Sequence, residues 1–236
     1  MSLLDLRRQA DVSQKDSLSN RMRSRRFAKF EGLLDGLPRP LRLIDIGGTV
    51  RFWEQRGWSD RADVDITLVN LTAERSPFPH IRSVAGDATR LAQFADREFD
   101  VAFSNSVIEH LFTYESQAAM AREVQRVAGA YWVQTPNYWF PMEPHFHVPG
   151  WQWLPEGVRI RLLQRRRCGW RGPCPERAKA TQLVREVRLM TRRELRHCFP
   201  EAEIWPERIG GLVKSWVAIQ GFPPSKRPTS GRDVHP

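Results

Sequence analysis

Apolar residues along this chain gather into short runs, each closed by a polar residue or a glycine. The first is Leu41, Leu43, Ile44 and Ile46, which carries Asp45 near its end and breaks on Gly47-Gly48. Four to six apolar residues closed by glycines predict a buried strand entering a tight turn. Thr49 to Trp58 then predicts a helix with Phe52 and Trp53 as its apolar contacts. Further strands are predicted at Val64 to Val69, Ile81 to Ala85, Phe99 to Ser104 and Ala130 to Thr135. A helix from about Glu115 to Ala128 carries Met120, Val124 and Val127 on one face, with Gly129 placed as a C-cap. Strands alternating with helical patterns mean βαβ units and a mainly parallel sheet.

Upstream, Leu18, Met22, Phe27, Phe30, Leu33, Leu34 and Leu37 recur every three to five residues and predict an amphipathic helix. Its expected place is as a cap on the sheet, the alternative being a substrate entrance. Downstream of the fifth strand the alternation stops. The stretch from Tyr138 to about Lys179 is too long for an ordinary connection and predicts an insertion or lid. Thr191 to Glu194 reads as a capping box opening a short helix. Ala202 to Ile209 and Leu212 to Ile219, joined by Gly210-Gly211, predict an antiparallel hairpin.

The expected fold is therefore α/β, a Rossmann-like, seven-stranded, mostly parallel sheet. Its last strand is antiparallel, helices cover both faces, and an insertion follows the fifth strand. The expected divisions are an N-terminal tail and cap helix (1–37), a ligand-binding core (38–137), the insertion (138–180), the C-terminal part of the core (181–220) and a disordered tail (221–236).

Composition narrows the function classes. No secretory signal and no run of eighteen apolar residues is visible, so no transmembrane segment is expected. Three cysteines (Cys168, Cys174, Cys198) without a C-x-x-C pair argue against a zinc site or a disulfide framework and for a reducing cytoplasm. The net charge of +10 is carried mainly by arginine and is dense between about Glu156 and His197. Such a surface serves a nucleic acid, an anionic membrane, another polyanion or an anionic small molecule, unless it is simply solvated helix face.

Candidate chemistry lies where the strands end. In an open parallel sheet, ligands sit beyond the carboxyl ends, near the point where strand order reverses. Polar residues recur at those ends here: Asp45 with Gly47 and Gly48, Asn70, Asp87, then Ser104 and Asn105. Four successive units ending this way would suit an adenosyl ligand.

With LIDIGGT, TLVNL, VAGDA and FDVAFSNSVIEHL in hand, the chain resembles the class I S-adenosylmethionine-dependent methyltransferases, in the small-molecule group that includes the ubiquinone-biosynthesis-like enzymes. The resemblance covers about residues 20 to 220 and implies S-adenosylmethionine as cofactor. It also implies that Asp45, Gly47, Gly48 and Thr49 line the methionine part, Asn70 and Leu71 the ribose, and Asp87 with Ala88 the adenine. Ser104 and Asn105 then lie beside the sulfonium. Thr49 and Arg51 stand where the family usually has glycines, and Asn70 where it usually has an acid.

Methyl transfer from a sulfonium is an in-line displacement. The protein positions the reactants and, for a hydroxyl acceptor, supplies a base. Glu143, His145 and His147 are the candidate catalytic residues; Glu109-His110 reads more readily as scaffold. No third ligand accompanies His145, His147 and Glu143, so no metal is expected. Tyr138, Trp139, Phe140, Phe146, Trp151 and Trp153 either wall an apolar acceptor pocket or form the core of the insertion. Related enzymes that methylate nucleobase or amide nitrogen carry an Asn/Asp-Pro-Pro-aromatic sequence after the fourth strand. Ser104-Asn105-Ser106-Val107 departs from it and favours an oxygen or carbon acceptor on a small, lipid-like or sugar molecule. The alternatives are a binding module that has lost catalysis and a nucleic-acid methyltransferase.

Overall fold

The computed structural model describes residues 18–224, with side chains from Arg21 onward. The start of the expected N-terminal tail, residues 1–17, lies outside the described residues, as does the expected C-terminal tail from 225. The chain divides into two compact units: residues up to Pro38 together with those from Phe222, and Arg39–Gly221. In the first, helix α1 (Leu18–Leu34) stops one turn short of the expected Leu37. Its Phe27 and Phe30 rings lie 5.9 Å apart, and Phe30 meets Phe222 edge-on at 6.5 Å.

The second unit is a seven-stranded sheet in the order β3-β2-β1-β4-β5-β7-β6. It runs β1 (Leu41–Ile46), α2 (Val50–Gln55), β2 (Val64–Asn70), β3 (Ile81–Ala85), β4 (Phe99–Asn105), α3 (Tyr114–Val127) and β5 (Ala128–Pro136). After the insertion come α6 (Arg192–Cys198), β6 (Glu203–Ile209) and β7 (Leu212–Gln220). Strands β1 to β5 pair in parallel, while β7 is antiparallel to both β5 and β6. Strand order reverses between β1 and β4, so the ends of those two strands flank the switch point.

Parallel strands buried on both faces need continuous apolar runs. Accordingly Leu43, Ile44, Ile46, Val101, Ala102 and Phe103 are nearly inaccessible. One face packs on α3 through Met120, Ala121, Val124 and Val127, the spacing of a single helical stripe, and on Leu195 and Phe199.

Two expectations need correction. Gly129 is not a helix C-cap: Ala128 already has extended angles (φ −132°, ψ 152°) and α3 runs straight into β5. The connections from β2 to β3 and from β3 to β4 hold turns and no helix. Glu109 and His110 belong to a one-turn 3-10 helix, Ile108–His110, that precedes α3.

The insertion folds around a core of its own. Helices α4 (Glu156–Arg165) and α5 (Arg177–Arg185) enclose Phe146, Trp151, Ile160, Leu163, Cys168, Cys174, Ala180 and Val184. Order then returns at Thr191, whose hydroxyl accepts from Glu194 N–H (3.2 Å) while the Glu194 carboxylate accepts from Thr191 N–H (2.8 Å).

Candidate active site

Two groups of polar residues occupy the carboxyl edge of the sheet. The first is built around β1. Asp45 is 1% exposed, and its Oδ2 accepts from the indole N–H of Trp53 at 2.8 Å. Burial lifts the Asp45 carboxyl from 3.8 to about 7, the Trp53 bond acting the other way. Gly47 has φ +83°, and a Cβ there would fall 2.4 Å from a methyl of Val107. A Cβ on Gly48 would lie 1.7 Å from Asp45 Oδ2. Both positions therefore require glycine, one for its backbone angle and both for close approach. Thr49 caps α2, its hydroxyl accepting from Phe52 N–H at 3.3 Å.

The remaining strand ends differ in what their side chains do. Asn70 turns its amide inward and donates to Gly48 O at 2.5 Å, bracing the glycine turn. Leu71, next to it, is 85% exposed. Asp87 accepts from Thr89 N–H and from the Thr89 hydroxyl, both at 2.8 Å, while Ala88 packs on the sheet core. Ser104 is fully buried and donates to Ile46 O at 3.0 Å, a strut between β4 and β1, and Asn105 is half-buried at the last position of β4. Sequence reasoning missed Glu74. Its carboxylate accepts from Val50 N–H at 2.6 Å, at the first residue of α2. An acid four residues past a strand end carries no recognisable spacing.

The second group follows β4 and β5. Glu143 is buried. One of its oxygens accepts from the main-chain N–H groups of His145 (2.7 Å) and Phe146 (2.6 Å), and the other meets His145 Nδ1 at 2.7 Å. The His145 ring stands edge-on to His110, centroids 4.8 Å apart. Glu109, 0% exposed, accepts from the Thr135 hydroxyl at 3.1 Å through Oε2. Burial pushes the Glu109 carboxyl up to about 7, partly offset by the nearby His145. For His145, burial disfavours the cation, but the bond and charge of Glu143 and the charge of Glu109 outweigh it and raise its pKa. Burial, then His145 and Arg171, lower that of His110. Backbone with positive φ concentrates here: among the described residues, Ser106, Phe112 and His147 flank this group, and Arg97 is the other non-glycine case.

Of the three residues predicted to catalyse, the structure brings Glu143 and His145 together and turns His147 toward Trp170, ring centroids 5.5 Å apart. Glu109 and His110, read as scaffold, join the pair. Only tertiary folding could bring them in, because His145 lies 35 positions along the chain from His110. The aromatic cluster divides. Phe146 and Trp151 stack at 4.2 Å inside the insertion core, whereas Trp139 and Trp153 are 63% and 46% exposed and lie 6.4 Å apart.

Comparison with known proteins agrees with this architecture. Residues 46–129 match the family model for a methyltransferase domain. Two uncharacterised proteins of Mycobacterium tuberculosis (strains CDC 1551 / Oshkosh and ATCC 25618 / H37Rv) are each 38% identical over 55 residues. That match spans 23% of this chain and 19% of those proteins. Among solved structures, the CurJ carbon methyltransferase superposes with TM-score 0.53 at 12% identity, covering 91% of this chain and 58% of that one. A protein of Bordetella parapertussis superposes with TM-score 0.51 at 14% identity, covering 85% and 67%. At these identities the structural likeness speaks for the fold. The matched residues run from the end of β1, through the glycine turn at the switch point, to the start of β5, so this part of the chain is similar to a methyltransferase domain and the sheet that holds it has a Rossmann-like, methyltransferase-type fold.

Proposed function

We propose that the protein transfers a methyl group from S-adenosylmethionine to an oxygen or carbon of a small, lipid-like or sugar acceptor. The observation that carries this reading is the β1 turn, where a Cβ on Gly48 would overlap the Asp45 carboxylate and the next turn of chain opens a helix. Such a turn lets a ligand approach the backbone, and Asp45 offers a carboxylate to a cationic amine. Leu71, apolar and 85% exposed beside the second strand end, offers a face for a purine or ribose. Asp87 and Ala88 stand for the adenine edge, with Asn105 at the end of β4.

The bound cofactor supplies an electrophilic methyl on a sulfonium. The chain's own task is to hold the acceptor in line and remove its proton. Glu143 orients His145, and Glu109 and His110 stand beside it, so this group is assigned the handling of the acceptor's proton. The exposed Trp139 and Trp153 are assigned to the acceptor's apolar part.

A binding module without catalysis is the second reading. Asn70 braces Gly48 and Glu74 occupies Val50 N–H, so two groups at the cofactor edge are engaged within the chain. Calorimetry with S-adenosylmethionine, followed by incubation with methyl-labelled cofactor and fractionated extract, separates the two. Cofactor binding with label transferred to a small-molecule fraction is expected. Absence of cofactor binding overturns the first reading, and label in a nuclease-sensitive fraction redirects it to nucleic acid.

A further inference from the structure

We propose that Glu109, His110 and His145 form a site for one divalent transition-metal ion, of the class bound by two imidazoles and a carboxylate. One ligand atom from each residue lies within 4.8 Å of the others. Bonds of about 2.0–2.2 Å place neighbouring ligand atoms roughly 3–3.5 Å apart, so the side chains close on an ion by an inward shift of about 1–2 Å. Two nitrogens and one oxygen suit zinc, iron(II), cobalt(II) or manganese(II) and leave coordination positions open.

Three further observations point to an ion. Glu109 is fully buried, and its Oε1 has no hydrogen-bond partner among the described residues, while Thr135 holds the other oxygen. Buried polar atoms are nearly always partnered, and a cation would supply the missing partner. Next, His145 is already oriented as a ligand. Glu143 Oε1 engages its Nδ1 at 2.7 Å and leaves Nε2 for a metal, the carboxylate–histidine–metal arrangement that fixes tautomer and ring orientation. Glu143 is held in turn by the N–H groups of His145 and Phe146. Finally, Arg171, whose charge acts on both rings, is paired with the Glu186 carboxylate.

The group follows β4 and β5, at the edge of the sheet where the acceptor is proposed. An ion there would bind an acceptor oxygen and acidify a hydroxyl attached to it. The site itself does not depend on that reading.

The full chain, stripped with a chelator, is titrated with CoCl2 by calorimetry and by visible absorption, and with ZnCl2 in competition. One equivalent of cobalt is expected to bind with d–d bands that zinc abolishes. Glu109→Gln and His145→Asn should each weaken uptake at least tenfold, and Glu143→Gln by about 10–100-fold. His197→Asn, outside the group, should leave it unchanged. Circular dichroism checks each variant; if Glu109→Gln fails to fold, the half-buried His110→Asn is the test in its place. Absence of saturable uptake, or uptake unchanged across the Glu109, His110 and His145 variants, overturns the site. S-adenosylmethionine binding on the same preparations is read separately. Its loss with cobalt uptake intact overturns the methyl-transfer reading and leaves the site standing.

Discussion

The indole N–H of Trp53 donates to Asp45 Oδ2 at 2.8 Å, where both side chains are shut off from solvent. Trp53 is held in that pose by Trp58 (4.7 Å), Phe52 (5.3 Å) and Phe103 (5.5 Å). The aromatic contacts of the helix after β1 thus orient the acid at the end of β1. Trp53→Phe keeps most of the packing and removes the donor, leaving a buried carboxylate unpartnered at a cost of about 1–3 kcal/mol. Urea unfolding should show that loss, and calorimetry should show weaker binding of S-adenosylmethionine.

The same carboxyl predicts a pH dependence. Burial sets it near 7 in the folded chain against 3.8 in the reference state. Between those values the native state holds a proton that the unfolded chain has released. Stability from this group is therefore greatest below about pH 4, falls as pH rises to about 7, and is flat above. Asp45→Asn removes the titration. The stability of the variant relative to wild type should rise between pH 5 and pH 8 in urea denaturation, and an unchanged difference would contradict the buried, proton-holding Asp45.

Gly48→Ala places a Cβ 1.7 Å from Asp45 Oδ2, whereas at Gly129 the nearest atom is Asp100 O at 3.5 Å. Overpacking of the first kind costs about 1–3 kcal/mol. Gly48→Ala should lower the unfolding midpoint and abolish cofactor binding. Gly129→Ala should leave binding intact.

Leu71 is exposed, and its exchange for serine should change stability by less than about 0.5 kcal/mol. If Leu71 covers the cofactor's adenosyl part, that variant should raise the cofactor Kd about tenfold, equivalent to about 1.4 kcal/mol. Equal affinity in calorimetry would remove Leu71 from the site.

The insertion depends on the stacked pair Phe146 and Trp151 at its centre. Trp151→Ala should cost about 3–5 kcal/mol by cavity formation. Because this core is separate from the sheet's, the loss should appear as new protease cleavage between residues 138 and 187 before the sheet unfolds.

The sequence alone determined the strands, because parallel strands buried on both faces require unbroken apolar runs and leave their mark in composition. β3 (Ile81–Ala85) has the predicted limits, and β2 and β4 end one residue beyond them. The hairpin and the Thr191 capping box were equally legible, since each rests on residues adjacent in the chain. Gly129 misled because a glycine after an apolar helical face signals a stop by local conformation alone. Pairing of β5 with β4, through Val101↔Ala130 and its neighbours, instead draws the chain into the sheet at Ala128.

What each polar side chain does was decided only by tertiary structure. Asp45, Asn70, Ser104 and Asn105 stand alike at strand ends in the sequence. Folding gives Asp45 to Trp53, Asn70 to Gly48 O and Ser104 to Ile46 O, because a buried polar atom takes whichever partner the packing brings within reach. Glu109 and His110 joined Glu143 and His145 for the same reason. Apolar periodicity is a property of neighbours along the chain, and it locates the strands. A hydrogen-bond or ligand partner is a property of neighbours in space, and it exists only once those strands have been brought side by side.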